Sequence, residues 1–345
     1  MESTKQIRIN TIIVLILTLF SIIFSKHKLE SLVYGLVILV CVIIFYMILN
    51  TKIKMNLEQI IKYWHYISIV VFVVGFVEVV FFNNMPSRWL DFSQYNNISF
   101  RMSSVFGNPN LFGFYIGLLL IFISTSRVYQ IVKRDSMLEY LVYGLSVLCL
   151  YFTYSRANWI GLILTLLFAS IFVNKGFFKH LLIIAGVILL LDFVFQTYRS
   201  DIESIMFDKS MDYRFKIWES SFKMIKDNWL TGIGINSFGS EISSYSTVVK
   251  SSVGHCHNVY LQILVEMGVV SFVVIGFIFV KSILRVLIRL MKEKDKTCAF
   301  IILITAFILV QGLVDSTMFV PPIIFIITAM YAIAIKQIIG LQACD

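Results

Sequence analysis

With 59% hydrophobic residues, only 14% charged residues and a mean hydropathy of +0.86, this chain of 345 residues is too apolar to be a water-soluble domain. Its net charge of +9 would point to nucleic acid in a soluble protein. Here most cations sit in short loops between apolar runs, where membrane topology explains them, and no nucleic-acid partner is expected.

A helix needs about 20 apolar residues to cross a hydrocarbon layer of roughly 30 Å, because a backbone without water must satisfy its own N–H and C=O groups. Runs of that order lie near 9–25, 31–49, 64–82, 109–126, 137–154, 157–174, 181–197, 258–280, 298–317 and 322–339. The first lacks a small-residue cleavage site and is followed by further runs, so it reads as a span rather than a cleavable leader. The ten runs predict an all-α, polytopic transmembrane helix bundle, a single integral membrane domain over residues 1–345. With the N-terminus inside, 17 of the 29 cations fall in cytoplasmic segments, and seven of the rest (Arg199, Lys209, Arg214, Lys216, Lys223, Lys226, Lys250) share one long outer loop. The positive-inside rule weights such a loop least, so both termini are expected in the cytoplasm. The stretch from Lys281 to Lys296 is expected to be a basic cytoplasmic loop. The cysteines Cys41, Cys149, Cys256, Cys298 and Cys344 mostly lie in or beside apolar runs without CxxC pairing, and no disulfide framework is expected.

Two outer segments are long enough to carry function, residues 83–108 and the large extracytoplasmic loop 198–257. Between Asp212 and Ile225 the loop repeats Phe215, Trp218, Phe222 and Ile225 at helical spacing among charged residues, which predicts an amphipathic helix on the membrane surface, ended by a turn at Gly232-Ile233-Gly234.

A charge at the bilayer centre costs on the order of 3 kcal/mol, so ionisable residues at span ends are candidates for function. On the outer side these are Arg101, Arg156, Arg214, His255, His257 and Asp315, with Glu266 two to three turns into the eighth span. The set is cationic at its core. Guanidinium groups bind phosphate through paired hydrogen bonds, so an anionic headgroup is the natural ligand, and no acidic cluster has the density of a metal cage. Each residue also has a plain structural reading. Arg156 in Tyr154-Ser155-Arg156-Ala157-Asn158-Trp159 marks a tight turn with about even weight, and Arg214 reads as a snorkelling residue of the surface helix. Asn108-Pro109-Asn110 reads as a helix entry, and His257 as a helix-end residue. His255-Cys256-His257 supplies two imidazoles and a thiol without a further ligand, a weak metal signal, and no metal or cofactor is expected.

The order of the motifs adds to these readings. Gly107-Asn108-Pro109-Asn110-Leu111-Phe112-Gly113, Tyr154-Ser155-Arg156, Arg214 to Trp218, Trp229-Leu230-Thr231-Gly232-Ile233-Gly234 and His257-Asn258-Val259-Tyr260-Leu261-Gln262 to Gly268 follow one another along the chain. In that order, from about residue 100 to 275, the chain resembles the O-antigen ligase and Wzy-type polymerase family of bacterial surface polysaccharide assembly. Its strongest part is His257-Asn258 followed after nine residues by Gly268. Two departures stand out: Trp229 occupies a place where members often carry proline, and ten spans are counted where many members have about twelve.

The resemblance implies a GT-C-like bundle in the cell membrane with an extracytoplasmic active site. There a polyprenyl-pyrophosphate-linked oligosaccharide would donate its reducing-end sugar to a hydroxyl of an acceptor glycan, without nucleotide or required metal. Arg156 and Arg214 would clamp the pyrophosphate, with Arg101 a weaker third. His257 would act as general base, and Asn108, Asn258, Tyr260 and Trp218 would bind substrate. One base and no carboxylate nucleophile favours a single inverting displacement. A polymerase of lipid-linked repeat units is the first reading and an O-antigen ligase the second, with membrane lipid, a flippase and a chain-length regulator as candidate partners. A transporter or flippase of the lipid-linked units is the alternative of another class. Such proteins place polar residues near the midplane and carry pseudo-repeats, and neither is evident.

Overall fold

The computed structural model describes residues 4–52, 57–81, 100–132, 137–197, 209–249 and 253–342. Residues 83–99 of the first outer segment, both 198–208 and 250–252 of the long loop, and the basic residues Lys54, Lys133, Arg134, Arg199 and Lys250 lie outside those residues, as does Cys344. Among the described residues every regular element is helical: α1 (Thr4–Ile23), α2 (Lys28–Asn50), α3 (Leu57–Phe81), α4 (Pro109–Val128), α5 (Met137–Phe152), α6 (Arg156–Phe172), α7 (Phe177–Phe195), α8 (Lys209–Asp227), α9 (Phe238–Tyr245), α10 (Val259–Glu293), α11 (Lys296–Gln311) and α12 (Pro321–Gln342), with short 3-10 turns at Ser104–Phe106 and Thr317–Phe319. Seven helices are long and apolar enough to cross a membrane, and α5, α6 and α11 are apolar but shorter, which makes this a multi-pass membrane protein. Each of the ten predicted runs holds one of these helices.

Two boundaries are corrected. The stretch from Lys281 is not a loop but the last third of α10, which runs to Glu293. Hydropathy marks where the apolar layer ends, whereas the helix continues through good helix formers and an Arg289–Glu293 pair at 2.8 Å, one turn apart. The ninth run ends early as well: α11 stops at Gln311, and 312–316 form a turn whose backbone oxygens at Gly312 and Leu313 accept from Val259 N–H and Asn258 Nδ2.

The chain forms two compact units, one of Met1–Thr51, Asp208–Ile302 and Gly312–Asp345, the other of Lys52–Phe207 and Leu303–Gln311. In the second unit α4 is the core, buried almost continuously from Phe112 to Ser126 and packed on α5 and α6. Glycine permits the close approach: a Cβ on Gly117 would stand 2.3 Å from the Phe307 ring.

In the first unit, α2 packs on α1 and α12, and α8 on α9 and α10. Its polar end is held by a backbone-to-backbone interlock. Val269 N–H donates to Trp229 O at 2.8 Å, Ile233 N–H to Val265 O at 3.0 Å and Gly234 N–H to Glu266 O at 2.9 Å. Gly268 breaks α10 with φ 71° and ψ 175°, and a Cβ there would lie 2.3 Å from Leu230 O. A Cβ on Gly232 (φ 73°) would lie 2.4 Å from Glu266. Only glycine fits both places. The Gly-x-Gly turn and the distant Gly268 are thus two halves of one contact.

The amphipathic helix exists as α8, and a face beside the aromatic stripe packs into the protein. Ile217, Ser220, Ser221 and Met224 are buried, Trp218 and Ile225 are partly so, and Phe215 and Phe222 are 55% and 60% exposed. The face that packs on α9 and α10 is offset by one residue from the stripe Phe215, Trp218, Phe222 and Ile225, so α8 carries apolar residues on two adjoining faces.

Candidate functional site

The start of α10 is built by Asn258, whose extended backbone precedes the helix and whose Oδ1 accepts the N–H groups of Tyr260 and Leu261, both at 3.0 Å. Its Nδ2 donates to Leu313 O at 2.9 Å and its N–H to Ser316 Oγ at 3.0 Å. This staples the preceding loop to the turn after α11. Both side-chain groups of Asn258 are thereby engaged with protein, and Tyr260 stands half-buried in the first turn.

In that loop, residues 255–257 alternate. Cys256 points into the core and is fully buried, its N–H donating to Gln262 Oε1 and its carbonyl accepting Trp218 Nε1–H at 3.0 Å. The flanking imidazoles point the other way. His255 Nε2 lies 3.3 Å and His257 Nδ1 3.2 Å from the same oxygen, Asp315 Oδ1. The two rings are 4.2 Å apart. His257 takes a left-handed backbone (φ 50°), a conformation that costs a non-glycine residue roughly 1–3 kcal/mol and is maintained by the staples on either side.

Asp315 is only 3% exposed, and its Oδ1 also accepts the N–H of Ser316 at 2.8 Å. Burial opposes its charge, but hydrogen bonds from His255 and His257, with their charge, overcome this and hold the carboxyl well below the usual carboxylate range. For His257 burial dominates and lowers the pKa. The hydrogen bond and charge of Asp315 raise it, and the charges of His255 and Arg214 lower it further. The outcome is a neutral imidazole at neutral pH beside an ionised carboxylate. With Nδ1–H donated to Asp315, the lone pair is left on Nε2. Arg214, half-buried on α8 with Nη1 3.5 Å from Met211 Sδ, is close enough for its charge to act on that ring.

The other predicted residues lie in the second unit. Asn108 caps α4, its side chain accepting Asn110 N–H at 2.8 Å, and Pro109 fills the first helical position. Arg101 donates from Nε to Thr153 O at 2.9 Å and from Nη2 to Asn110 Oδ1 at 3.0 Å. Asn158 Nδ2 donates to Asn110 O and Ser155 Oγ. Arg156 opens α6, half-buried, just after the tight turn at Tyr154 (φ 49°). Arg101 and Asn108 therefore hold together the corner from which Arg156 projects. A cavity of about 460 Å³ in this unit, lined by Arg127, Glu139, Tyr143, Lys179 and His180 among others, lies at the opposite end of α4 from Asn108 and holds none of the predicted residues.

The structure thus brings His257, Asn258, Tyr260, Trp218 and Arg214 together in one unit, and Arg101, Asn108 and Arg156 in the other. Glu266 has a structural task, its Oε1 accepting Phe238 N–H at the start of α9. What sequence reasoning missed is Asp315 as the partner of His257. The only signal for it was an acidic residue near the end of an apolar run, 58 positions away.

None of the curated proteins matches the chain. Residues 141–276, which carry Arg156, Arg214, Trp218, His257, Asn258, Tyr260 and the Gly232–Gly268 interlock, match the family model described as O-antigen ligase.

Proposed function

We propose that the protein is a membrane glycosyltransferase that uses a polyprenyl-pyrophosphate-linked glycan as donor and a sugar hydroxyl as acceptor. The observation that carries this reading is the His257–Asp315 pair beside Arg214, at the start of α10, with His257 and Arg214 inside the stretch that matches the O-antigen ligase model and Asp315 beyond it. The acceptor oxygen attacks the anomeric carbon, its proton passes to His257 Nε2, and the bond from the anomeric carbon to the pyrophosphate oxygen breaks, the electron pair leaving with the lipid pyrophosphate. Asp315 fixes the tautomer and steadies the imidazolium that forms. Arg214, whose charge acts on the His257 ring, would meet negative charge growing on the leaving group, and the family resemblance gives Arg156 the same task. Exposed Phe215 and Phe222 with Lys216, Lys223 and Lys226 suit α8 to a lipid interface bearing anionic headgroups.

Within this chemistry we favour a polymerase of lipid-linked repeat units, because among the described residues the long loop carries α8 and α9 and no added domain to grip a large acceptor. The description of the matching family names the ligase, which is the second reading. Purified protein with a lipid-linked oligosaccharide is expected to form new glycosidic bonds of inverted anomeric configuration. Retention of configuration refutes the single displacement, and movement of intact donor across a liposome without product refutes the enzyme. Deletion of the gene separates the finer readings: single repeat units on the acceptor mean a polymerase, long chains held on the polyprenyl carrier a ligase.

A further inference from the structure

We propose that His255 Nε2, His257 Nδ1 and an Asp315 carboxylate oxygen form a site for a zinc-class dication, and that this metal switches the base off rather than serving as a cofactor. The binding half stands on geometry alone. The inhibitory half rests on the function proposed above.

The three donor atoms lie within 4.8 Å of one another. The two nitrogen-to-oxygen separations, 3.3 and 3.2 Å, run to one carboxylate oxygen. A tetrahedral zinc with bonds of about 2.0–2.2 Å places neighbouring ligand atoms about 3.3–3.6 Å apart, so the metal enters with small side-chain rotations. Two imidazoles and a carboxylate with an open fourth position suit zinc, cobalt or nickel, whereas magnesium and calcium call for oxygen-rich shells. The ligands are held in place by protein alone. Ser316 N–H supports the carboxylate oxygen, Trp218 and Gln262 pin the backbone of Cys256 between the two histidines, and the Asn258 staples fix the turn that carries Asp315. Sequence offered the Cys256 thiol as third donor, but that side chain is sealed in the core. Asp315 takes its place from the far turn. His255 and His257 are 35% and 22% exposed, which leaves the metal a route from solvent.

Coordination through His257 Nδ1 requires the lone pair on that atom, so its proton must move to Nε2. The ring stays neutral and no proton is lost overall. Nε2, however, becomes a donor and can no longer take the acceptor hydroxyl's proton. Asp315 is withdrawn from the ring at the same time.

The test uses the full chain in detergent, freed of metal by chelation, with cobalt(II) as probe and zinc as competitor. Wild type is expected to develop the visible absorption of low-coordinate cobalt, to lose it on adding zinc, and to change its tryptophan fluorescence through Trp218. Cys256→Ser is expected to bind cobalt as wild type does, and His255→Ala at least about 100-fold more weakly. Because an alanine can loosen the loop, His255→Gln serves as a second variant, and both are checked for an unchanged melting temperature and monodispersity. Cobalt bound equally by wild type and both His255 variants, or lost in Cys256→Ser, overturns the site. In the activity arm, zinc is expected to suppress turnover in wild type and much less in His255→Gln, each judged against its own metal-free rate. Cobalt binding without zinc inhibition overturns the switch and counts against His257 as base. No cobalt binding while His257→Ala abolishes turnover overturns the metal site and leaves the proposed function standing.

Discussion

The corners that open α4 and α10 use the same device to different ends. In each, an asparagine caps a helix, and the residues around it are tied to a turn between two other helices: Asn108 with the Thr153–Asn158 turn, Asn258 with the turn at 312–316. At the α4 corner the ties run between amides, hydroxyls, a carbonyl and the Arg101 guanidinium, groups that do not titrate near neutral pH. At the α10 corner the same scaffolding surrounds two imidazoles on one buried carboxylate. A polar network of amides makes a rigid frame. Adding a titratable pair to such a frame makes a reactive one. The comparison predicts that substitutions at the α4 corner act through shape and those at the α10 corner through chemistry.

The largest expected effect is at the reactive corner. His257→Ala should lower turnover of a lipid-linked donor by about 100- to 10,000-fold with the protein still folded, since the buried Asp315 carboxylate keeps His255 Nε2 and Ser316 N–H as partners. Loss of fold with loss of turnover would count against it. Next is the interlock beneath that corner. Gly268→Ala places a Cβ against Leu230 O and forces alanine into a region that only glycine favours, and it should destabilise the protein by about 3 kcal/mol. Thermal unfolding in detergent measures this, and an unchanged midpoint would mean the break in α10 is not needed. The caps come third. Asn108→Ala should cost about 1 kcal/mol, and Asn258→Ala about 2 kcal/mol, because it also strands Leu313 O and loosens the turn that carries Asp315. Equal losses would erase the distinction between the corners.

Much of the frame was legible in the sequence because membrane helices must satisfy their own backbone and therefore announce themselves as apolar runs. The same logic misplaced the ends. Hydropathy stops at the edge of the apolar layer, so it missed the charged continuation of α10 to Glu293 and carried α11 past Gln311 into the turn that holds Asp315. In α8 the aromatic spacing of Phe215, Trp218 and Phe222 signalled the helix, whereas the face that packs into the protein through Ile217 and Met224 was not legible, since it depends on what packs against it. His257 and Arg214 were readable as candidates from residue type and motif order. The contact between Gly232 and Gly268 and the pairing of His257 with Asp315 were not, since each joins residues dozens of positions apart through the path of the folded chain.

The smallest effect is a displacement along the pH axis, and it separates chemistry from shape most cleanly. The base proposed at His257 works only while the ring is neutral, and burial holds its pKa below the ordinary 6.5, so in chelator-treated protein the acid limb of turnover should lie below pH 6.5. The groups facing the ring act in opposite directions: Asp315 raises its pKa, whereas His255 and Arg214 lower it. Asp315→Asn should therefore move the limb to lower pH and Arg214→Gln to higher pH, whatever each does to the maximal rate. Folding stability should follow the same sign. A histidine that binds its proton less readily when folded makes the native state less stable as pH falls from 6.5 through its lowered pKa. Asn108→Ala at the α4 corner removes a helix cap and no titratable group, and should leave the limb where it is. A limb that moves the same way in Asp315→Asn and Arg214→Gln, or that moves with Asn108→Ala, would mean that the pH profile belongs to some group other than His257.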